Sequence, residues 1–227
     1  MVRVWEYPLG PAQHKYGRLH IGGQADTILL ELYGVDCSAA KTGWERRLYD
    51  WLTGLDQVKI TRCDVAHDFF DGQYTPKQAY ADYRHCLYCN GKQLKCEKRG
   101  TAWESEDGSG KTLYIGSRYG AKLARIYEKG RQLGDKASRW VRFEVEFRAH
   151  DYEIPADILI YPGEYLCGAY PIGARLFKNS AKRKTTKQVR QALTVQRAAY
   201  FSPAYRPGRL FVTNIIWGGR TERLFGC

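Results

Sequence analysis

Two stretches of the chain alternate hydrophobic and charged residues with the period of a β-strand. The first covers residues 60–68 and the second covers residues 140–148. Side chains two positions apart in a strand lie on the same face of a sheet. One face of each predicted strand therefore collects charges: Arg62, Asp64 and Asp68 on the first, and Arg142, Glu144, Glu146 and Arg148 on the second. The other face of the second strand is hydrophobic and is predicted to face the core.

A third segment between these strands carries basic and aromatic residues. With the same period of two, Arg125, Tyr127 and Lys129 share one face. The glycine-containing turn before them ends at Arg118, whose charge and neighbouring backbone N–H groups are suited to holding a phosphate. The sequence therefore predicts three charged strand faces that could meet on one sheet.

The remaining pattern completes an α+β fold. It predicts strands at residues 18–22, 27–34, 111–115 and 124–128, helices at 42–54 and from Thr75–Pro76 to about Cys89, a loop over 91–110, a short helix at 155–160 and a strand-like segment at 210–217. We expect an antiparallel sheet with helices packed on one face. The predicted domains are residues 1–176 and a basic C-terminal segment at 177–227.

The net charge of +12 favours a polyanionic partner, with nucleic acid ahead of a membrane. Between residues 177 and 200 the charge has one sign: Lys178, Lys182, Arg183, Lys184, Lys187, Arg190 and Arg197 are present and no acidic residue is. Such a block predicts a DNA-binding helix that tracks phosphates, and the alternative is a disordered basic tail. No apolar run approaches the length of a membrane span, so we expect a cytoplasmic protein. The odd number of cysteines, seven, favours reduced thiols.

The acidic strand positions have two interpretations. Neighbouring carboxylates repel one another unless a cation lies between them, which favours a metal site made by Asp64, Glu144 and Glu146, with Asp68 as a fourth ligand. The alternative is a solvated sheet face, on which Arg/Glu cross-strand pairs contribute roughly 0.2–1 kcal/mol each.

Four motifs in this order resemble a known family. They are Arg62-x-Asp64-x-x-x-Asp68, Tyr114-Ile115-Gly116-Ser117-Arg118, Arg125-Ile126-Tyr127-Glu128-Lys129 and Arg142-Phe143-Glu144-Val145-Glu146-Phe147-Arg148. Together they resemble the replication initiation factor family (Rep_trans) of rolling-circle plasmids and filamentous phages, in its phage-type branch. The resemblance covers roughly Leu55 to Phe177.

The resemblance implies a metal-dependent enzyme that nicks and rejoins one strand of single-stranded or cruciform origin DNA. A tyrosine attacks the scissile phosphate with Mg²⁺ or Mn²⁺ on the acidic residues, and Arg125, Lys129, Arg142 and Arg118 hold phosphate oxygens. A host helicase and a second copy of the chain are candidate partners. The family also has an extra strand before the first hairpin, for which the first residues here leave little room.

The resemblance places the nucleophile at Tyr152, just after the acidic strand, with Tyr127 as the second candidate. Two other functions stay open. A non-catalytic DNA-binding protein would keep the positive charge without nicking. An RNA-binding domain would stack bases on Tyr114 and Tyr127, although its usual aromatic motif is absent.

Overall fold

Eleven strands and six helices form the described part of the chain. The computed structural model describes residues 5–9, 17–22, 27–103, 110–150, 152–177, 210–213 and 215–219. The strands are β1 (Trp5–Leu9), β2 (Gly17–Ile21), β3 (Ile28–Leu32), β4 (Val58–Ile60), β5 (Arg62–Phe69), β6 (Cys96–Arg99), β7 (Thr112–Gly116), β8 (Lys122–Glu128), β9 (Val141–Arg148), β10 (Leu210–Thr213) and β11 (Ile215–Gly219). The helices are α1 (Gly34–Ala39), α2 (Trp44–Thr53), α3 (Pro76–Arg84), α4 (Lys129–Gln132), α5 (Pro162–Ala169) and α6 (Gly173–Leu176).

The strands form two sheets, which confirms the α+β class but not a single sheet. One sheet has the order β1-β2-β3-β10-β4, and the other has the order β11-β5-β9-β8-β7-β6. The hairpins β1–β2, β2–β3, β6–β7 and β7–β8 are antiparallel. Strand β10 runs parallel to both β3 and β4, so the five-stranded sheet is mixed.

The chain divides into two compact units that interleave along the sequence. Unit 1 takes its described residues from Met1–Asp64, Phe147–Pro162 and Lys184–Trp217. Unit 2 takes them from Val65–Glu146, Gly163–Arg183 and Gly218–Cys227. The sequence-based division placed one boundary at residue 177 instead. The predicted basic helix, with Lys182, Arg183, Lys184, Lys187 and Arg190, lies outside the described residues.

Local capping explains where the two main helices begin. Thr75 is the N-cap of α3, as predicted: its hydroxyl accepts a hydrogen bond from the backbone N–H of Gln78, and the Gln78 side chain accepts one from the Thr75 backbone. The N-cap of α2 is Gly43 in a left-handed conformation (φ 80°), where Thr42 was predicted. A glycine adopts this backbone conformation without the steric cost that a β-carbon brings.

Several elements differ from the predicted pattern. Strand β1 pairs with β2 although the sequence left little room for it. Strand β6 occupies part of the predicted loop at 91–110. The predicted strand over residues 58–68 is two strands, because the chain leaves one sheet at Ile60 and enters the other at Arg62. Pro162 begins helix α5, where the sequence suggested an end, and proline is well tolerated in the first helical turn.

Unit 2 has a core made largely of aromatic side chains. Phe143 packs edge-on against Phe177 with ring centroids 5.4 Å apart, and stacks with Tyr88 at 6.5 Å. The side chains of β9 alternate as predicted, with Val141, Phe143, Val145 and Phe147 buried. In the described part of the chain, no helix combines the length and apolar character that spanning a membrane requires.

One polar group in this core has no partner among the described residues. His67 is 5% exposed and packs against Phe69 and Phe177, and its Nδ1 atom has no hydrogen bond there. Burial lowers the pKa of His67, and Asp68 opposes that shift in part. A histidine that resists protonation in the folded state binds its proton more readily when the chain unfolds.

We therefore expect His67 to make the protein less stable in mild acid. The free energy of unfolding should fall as the pH drops below about 6.5, the value for an unfolded histidine, with a slope of up to about 1.4 kcal/mol per pH unit. Urea denaturation at pH 7.5 and 5.5 should show a smaller loss for His67→Gln than for the wild type. Substitution of the exposed His85 by Gln should leave the loss unchanged, and equal losses in all three proteins would refute the assignment.

Candidate active site

The polar face of the six-stranded sheet brings together most of the predicted site residues of unit 2. Strands β5, β9 and β8 are neighbours in this sheet. They contribute Asp68, Arg142, Glu144, Arg125 and Tyr127, and Lys129 follows at the start of α4. The face that was predicted from alternation alone is therefore a contiguous set of ionic side chains.

Glu144 is the centre of the first pairing on this face. Its side chain is 3% exposed. The guanidinium of Arg125 donates a hydrogen bond to Glu144 Oε1, and the hydroxyl of Tyr127 donates one to Oε2 over 3.2 Å. Both carboxylate oxygens are thus held, one by a cation and one by a phenol. A buried carboxylate needs partners of this kind, because an unpaired one loses its hydration without compensation.

Asp68 is the centre of the second pairing. Arg142 donates to both of its oxygens, from Nε over 2.8 Å and from Nη2 over 2.7 Å. The indole of Trp140 donates to Oδ1 over 2.7 Å. Asp68 is 4% exposed, so this bidentate pair lies almost entirely out of water.

The electrostatics of the face follow from burial and from these pairs. Burial raises the pKa of Tyr127, and the charge of Glu144 raises it further, so the phenol stays protonated. Burial lowers the pKa of Lys129, and the nearby charge of Arg142 lowers it further. Burial alone would lower the pKa of Arg125, but Glu144 outweighs burial and the pKa is raised. Lys129 is therefore the cation of this face that gives up a proton most readily.

A close approach of two backbone segments positions Lys129. Gly130, the next residue, has the Ser138 side chain directly above its α-carbon, where a β-carbon would overlap it. The backbone N–H of Gly130 donates to the Trp140 carbonyl over 3.2 Å. A glycine at this position lets the turn after β8 pack against the segment that leads into β9. The ammonium of Lys129 lies 5.8 Å from the centre of the Tyr127 ring as a result.

The structure places three other predicted residues apart from these pairs. Asp64 is fully buried and belongs to unit 1, where Arg62 donates to both of its oxygens over 2.9 and 2.7 Å. Tyr152 also belongs to unit 1 and is half-buried. Glu146 is half-buried and lies on the polar face of β9, two positions from Glu144.

Arg118 is exposed in the turn between β7 and β8, with its guanidinium 4.7 Å from the centre of the Tyr114 ring. Its Nη2 atom is 4.0 Å from a carboxylate oxygen of Glu97. The predicted phosphate contact at this turn stays a prediction.

The carboxylates as arranged here do not fit a resident divalent-ion site. Asp64, Asp68 and Glu144 each pair with an arginine, and a guanidinium beside a carboxylate repels a metal ion that would bind there. Within the described ranges, no three side chains of His, Cys, Asp or Glu lie together as a set of metal ligands. The predicted requirement for Mg²⁺ or Mn²⁺ stays a prediction, and the chemistry that we propose uses the protein side chains alone.

Sequence reasoning missed Trp140, which holds Asp68 together with Arg142. The signal was present, because Trp140, Arg142 and Glu144 are spaced two apart and share one face of the strand pattern. Tryptophan was passed over because its ring is more often a core residue. Its indole N–H needs an acceptor when it is buried, and a buried carboxylate supplies one.

The comparisons with known proteins agree with this site. The sequence model of the Rep_trans family, replication initiation factors, matches residues 58–200, which is more than half of the chain and includes every side chain of both pairings. The chain belongs to this family of replication initiation factors.

A solved structure supports the fold. The structure of a rolling circle replication initiator protein from Geobacillus stearothermophilus is similar to this chain, with a TM-score of 0.51 and 23% sequence identity. The similarity covers 83% of this chain and 76% of that chain. At this identity it establishes a shared fold. No curated protein matches the sequence.

Proposed function

We propose that this protein initiates rolling-circle DNA replication by cleaving and rejoining one DNA strand, with Tyr127 as the nucleophile. The hydrogen bond from Tyr127 to Glu144, inside a cluster of three cations, is the observation that carries the proposal. Membership in a family of replication initiation factors supports a role in starting DNA synthesis. The similar Geobacillus stearothermophilus protein is described as a rolling circle replication initiator.

The proposed step is a transesterification. The Tyr127 oxygen forms a bond to the scissile phosphorus, and the bond from phosphorus to the 3′ oxygen of the preceding nucleotide breaks. The proton of Tyr127 passes to Glu144. The leaving 3′ oxygen keeps the electron pair and takes a proton from Lys129, whose lowered pKa favours donation. The products are a 5′-phosphotyrosyl link and a free 3′ hydroxyl from which synthesis can start.

The arginines give this step its electrostatic support. Arg125 is 36% exposed at its side chain and can turn its charge toward a bound phosphate. A phosphate that shares Arg125 weakens the pairing of this arginine with Glu144, which makes Glu144 a better proton acceptor when DNA is present. Arg142 and Lys129 add positive charge where negative charge develops in the transition state.

Tyr127 is a better candidate than Tyr152 on these grounds. Tyr127 has a hydrogen-bonded carboxylate and two cations within 6 Å of its ring centre, Arg125 at 5.0 Å and Lys129 at 5.8 Å. The sequence order that favoured Tyr152 came from the family resemblance. It carries no contact with a proton acceptor.

A second function is favoured by a different observation. Because Glu144 and Asp68 are both neutralised by arginines, the same face could serve as a rigid positive surface for DNA without cleaving it. The RNA-binding alternative is weaker, since Tyr127 is only 6% exposed and its hydroxyl is engaged. A host helicase, a second copy of the chain and the basic segment at 178–197 stay as proposed contributors to origin binding.

The first test is capture of the covalent adduct. Single-stranded oligonucleotides of random sequence, incubated with the protein and Mg²⁺ or Mn²⁺, should yield a protein–DNA adduct that resists detergent. Mass spectrometry should find the nucleotide on the tryptic peptide Ile126–Lys129. Tyr127→Phe should abolish the adduct because the attacking oxygen is gone, and Tyr119→Phe, at an 88% exposed position, should not change it.

Three results would decide between the alternatives. An adduct on the peptide Ala149–Arg175 would move the nucleophile to Tyr152 or a neighbouring tyrosine. DNA binding without any adduct would support the non-catalytic function. An adduct that forms equally well with a chelator present would remove the metal requirement.

The second test concerns Glu144 as the proton acceptor. Glu144→Gln keeps the shape of the side chain but cannot take the tyrosine proton, so the rate of strand cleavage should fall by about 10²–10⁴-fold. Equilibrium binding of the same oligonucleotide, measured by fluorescence anisotropy, should stay within a factor of about two of the wild type. Glu45→Gln, in the first turn of α2, serves as the matched control. Unchanged cleavage in Glu144→Gln would exclude this role.

A further inference from the structure

A cavity of about 300 Å³ opens beside Tyr127 in unit 2. It is lined by Gly110, Lys111, Thr112, Tyr114, Arg125, Tyr127, Glu128, Arg131 and Gln132. The cleavage step proposed above uses two of these residues, Arg125 and Tyr127, and leaves the others without a role. Its volume is at the lower end of the range for small-molecule sites, roughly 300–1,000 Å³.

The floor of the cavity is a regular patch of the sheet. In the antiparallel pair β7–β8, Thr112 lies opposite Tyr127 and Tyr114 lies opposite Arg125. Directly opposed residues share a face, and so do residues two apart in one strand. The four side chains therefore form one block, in which the Tyr114 ring lies next to the guanidinium of Arg125.

The walls of the cavity carry mostly positive charge. Lys111, Arg125 and Arg131 are cations, and Glu128 is the acidic residue among those that line it. Glu128 is held in place, because its Oε2 accepts a hydrogen bond from the backbone N–H of Lys111 over 2.6 Å. The ammonium of Lys111 and the Nε of Arg131 each lie 3.9 Å from a Glu128 oxygen. One carboxylate thus organises two cations whose charge exceeds its own.

The polar groups of the walls can also read the edge of a base. Gln132 Oε1 accepts a hydrogen bond from Lys129 Nζ over 3.0 Å, which ties this wall to the candidate active site. A glutamine amide and a carboxylate are groups that pair with the exocyclic amines and ring nitrogens of bases. Tyr114 adds an aromatic ring, with the guanidiniums of Arg118 and Arg99 at 4.7 and 5.3 Å from its centre.

We propose that this cavity binds one unpaired nucleotide of the DNA strand, next to the phosphate that Tyr127 attacks. The proposal rests on the proposed function. Cations for a phosphate, an aromatic ring for a base and fixed groups for the base edge are the combination that single-stranded nucleic acid requires. The base stacks on Tyr114, its phosphate contacts Lys111 and Arg131, and Glu128 and Gln132 face its edge. The nucleotide seated here fixes the position of the scissile phosphate.

The test measures binding of single-stranded DNA rather than cleavage. With the full-length protein and a fluorescent 15-residue oligothymidine as the probe, about the length that such sites cover, Tyr114→Leu should weaken binding roughly 5- to 150-fold. Tyr119→Leu removes an exposed tyrosine from the nearby turn and should have no effect. Circular dichroism of each variant confirms that it is folded.

A salt series gives a second, independent measurement. Arg131→Gln removes one cation of the cavity, so the slope of log K against log[salt] should become shallower by about 0.7. Arg84→Gln makes the same charge change on an exposed residue in the last turn of α3 and should leave the slope as it is. Equal slopes for Arg131→Gln and the wild type would overturn the phosphate contact.

Photocrosslinking locates the nucleotide directly. An oligonucleotide that carries 5-iodo-deoxyuridine should crosslink to the tryptic peptide Thr112–Arg118, which contains Tyr114. Cleavage of DNA with crosslinks only on other peptides would refute this cavity while the proposed function stands. Crosslinking to Thr112–Arg118 without any covalent tyrosyl adduct would support the cavity and refute the cleavage step.

Discussion

The pairing of two buried carboxylates with two arginines is the interaction on which the site depends. Glu144 and Asp68 are 3% and 4% exposed, so neither could keep its charge there alone. Removing one partner of a buried ion pair typically costs about 3–5 kcal/mol, because the remaining charge is left uncompensated. Arg125 and Arg142 therefore determine whether this face of the sheet can be ionic at all. The positions of Tyr127 and Lys129 depend on the same pairs.

This constraint gives the face two states with different chemistry. Without DNA, the arginines neutralise the carboxylates and the phenol of Tyr127 stays protonated. A bound phosphate competes for the same guanidiniums, and the carboxylate that it releases becomes the proton acceptor that the tyrosine needs. The arrangement would then link activation of the nucleophile to the presence of its substrate, which protects the cell from unspecific strand cleavage.

The sequence could predict which residues share a face but not which residues pair. The alternation in residues 141–148 fixed the buried and polar sides of β9, and Thr75–Pro76 marked the start of α3, because both signals are local. Whether Glu144 would contact a metal ion or Arg125 depends on the register between strands, which no local pattern encodes. The position of β10 between β3 and β4 was also beyond reach, since it joins segments about 150 residues apart in sequence.

The most direct test of this account is a double-mutant cycle between Arg125 and Glu144. Urea denaturation of the wild type, Arg125→Met, Glu144→Gln and the double variant gives the coupling energy of the pair. The account predicts a coupling of about 1–3 kcal/mol, with the double variant more stable than the sum of the single losses implies. A coupling within about 0.5 kcal/mol of zero would show that Arg125 does not hold Glu144, and the proposed site would lose its foundation.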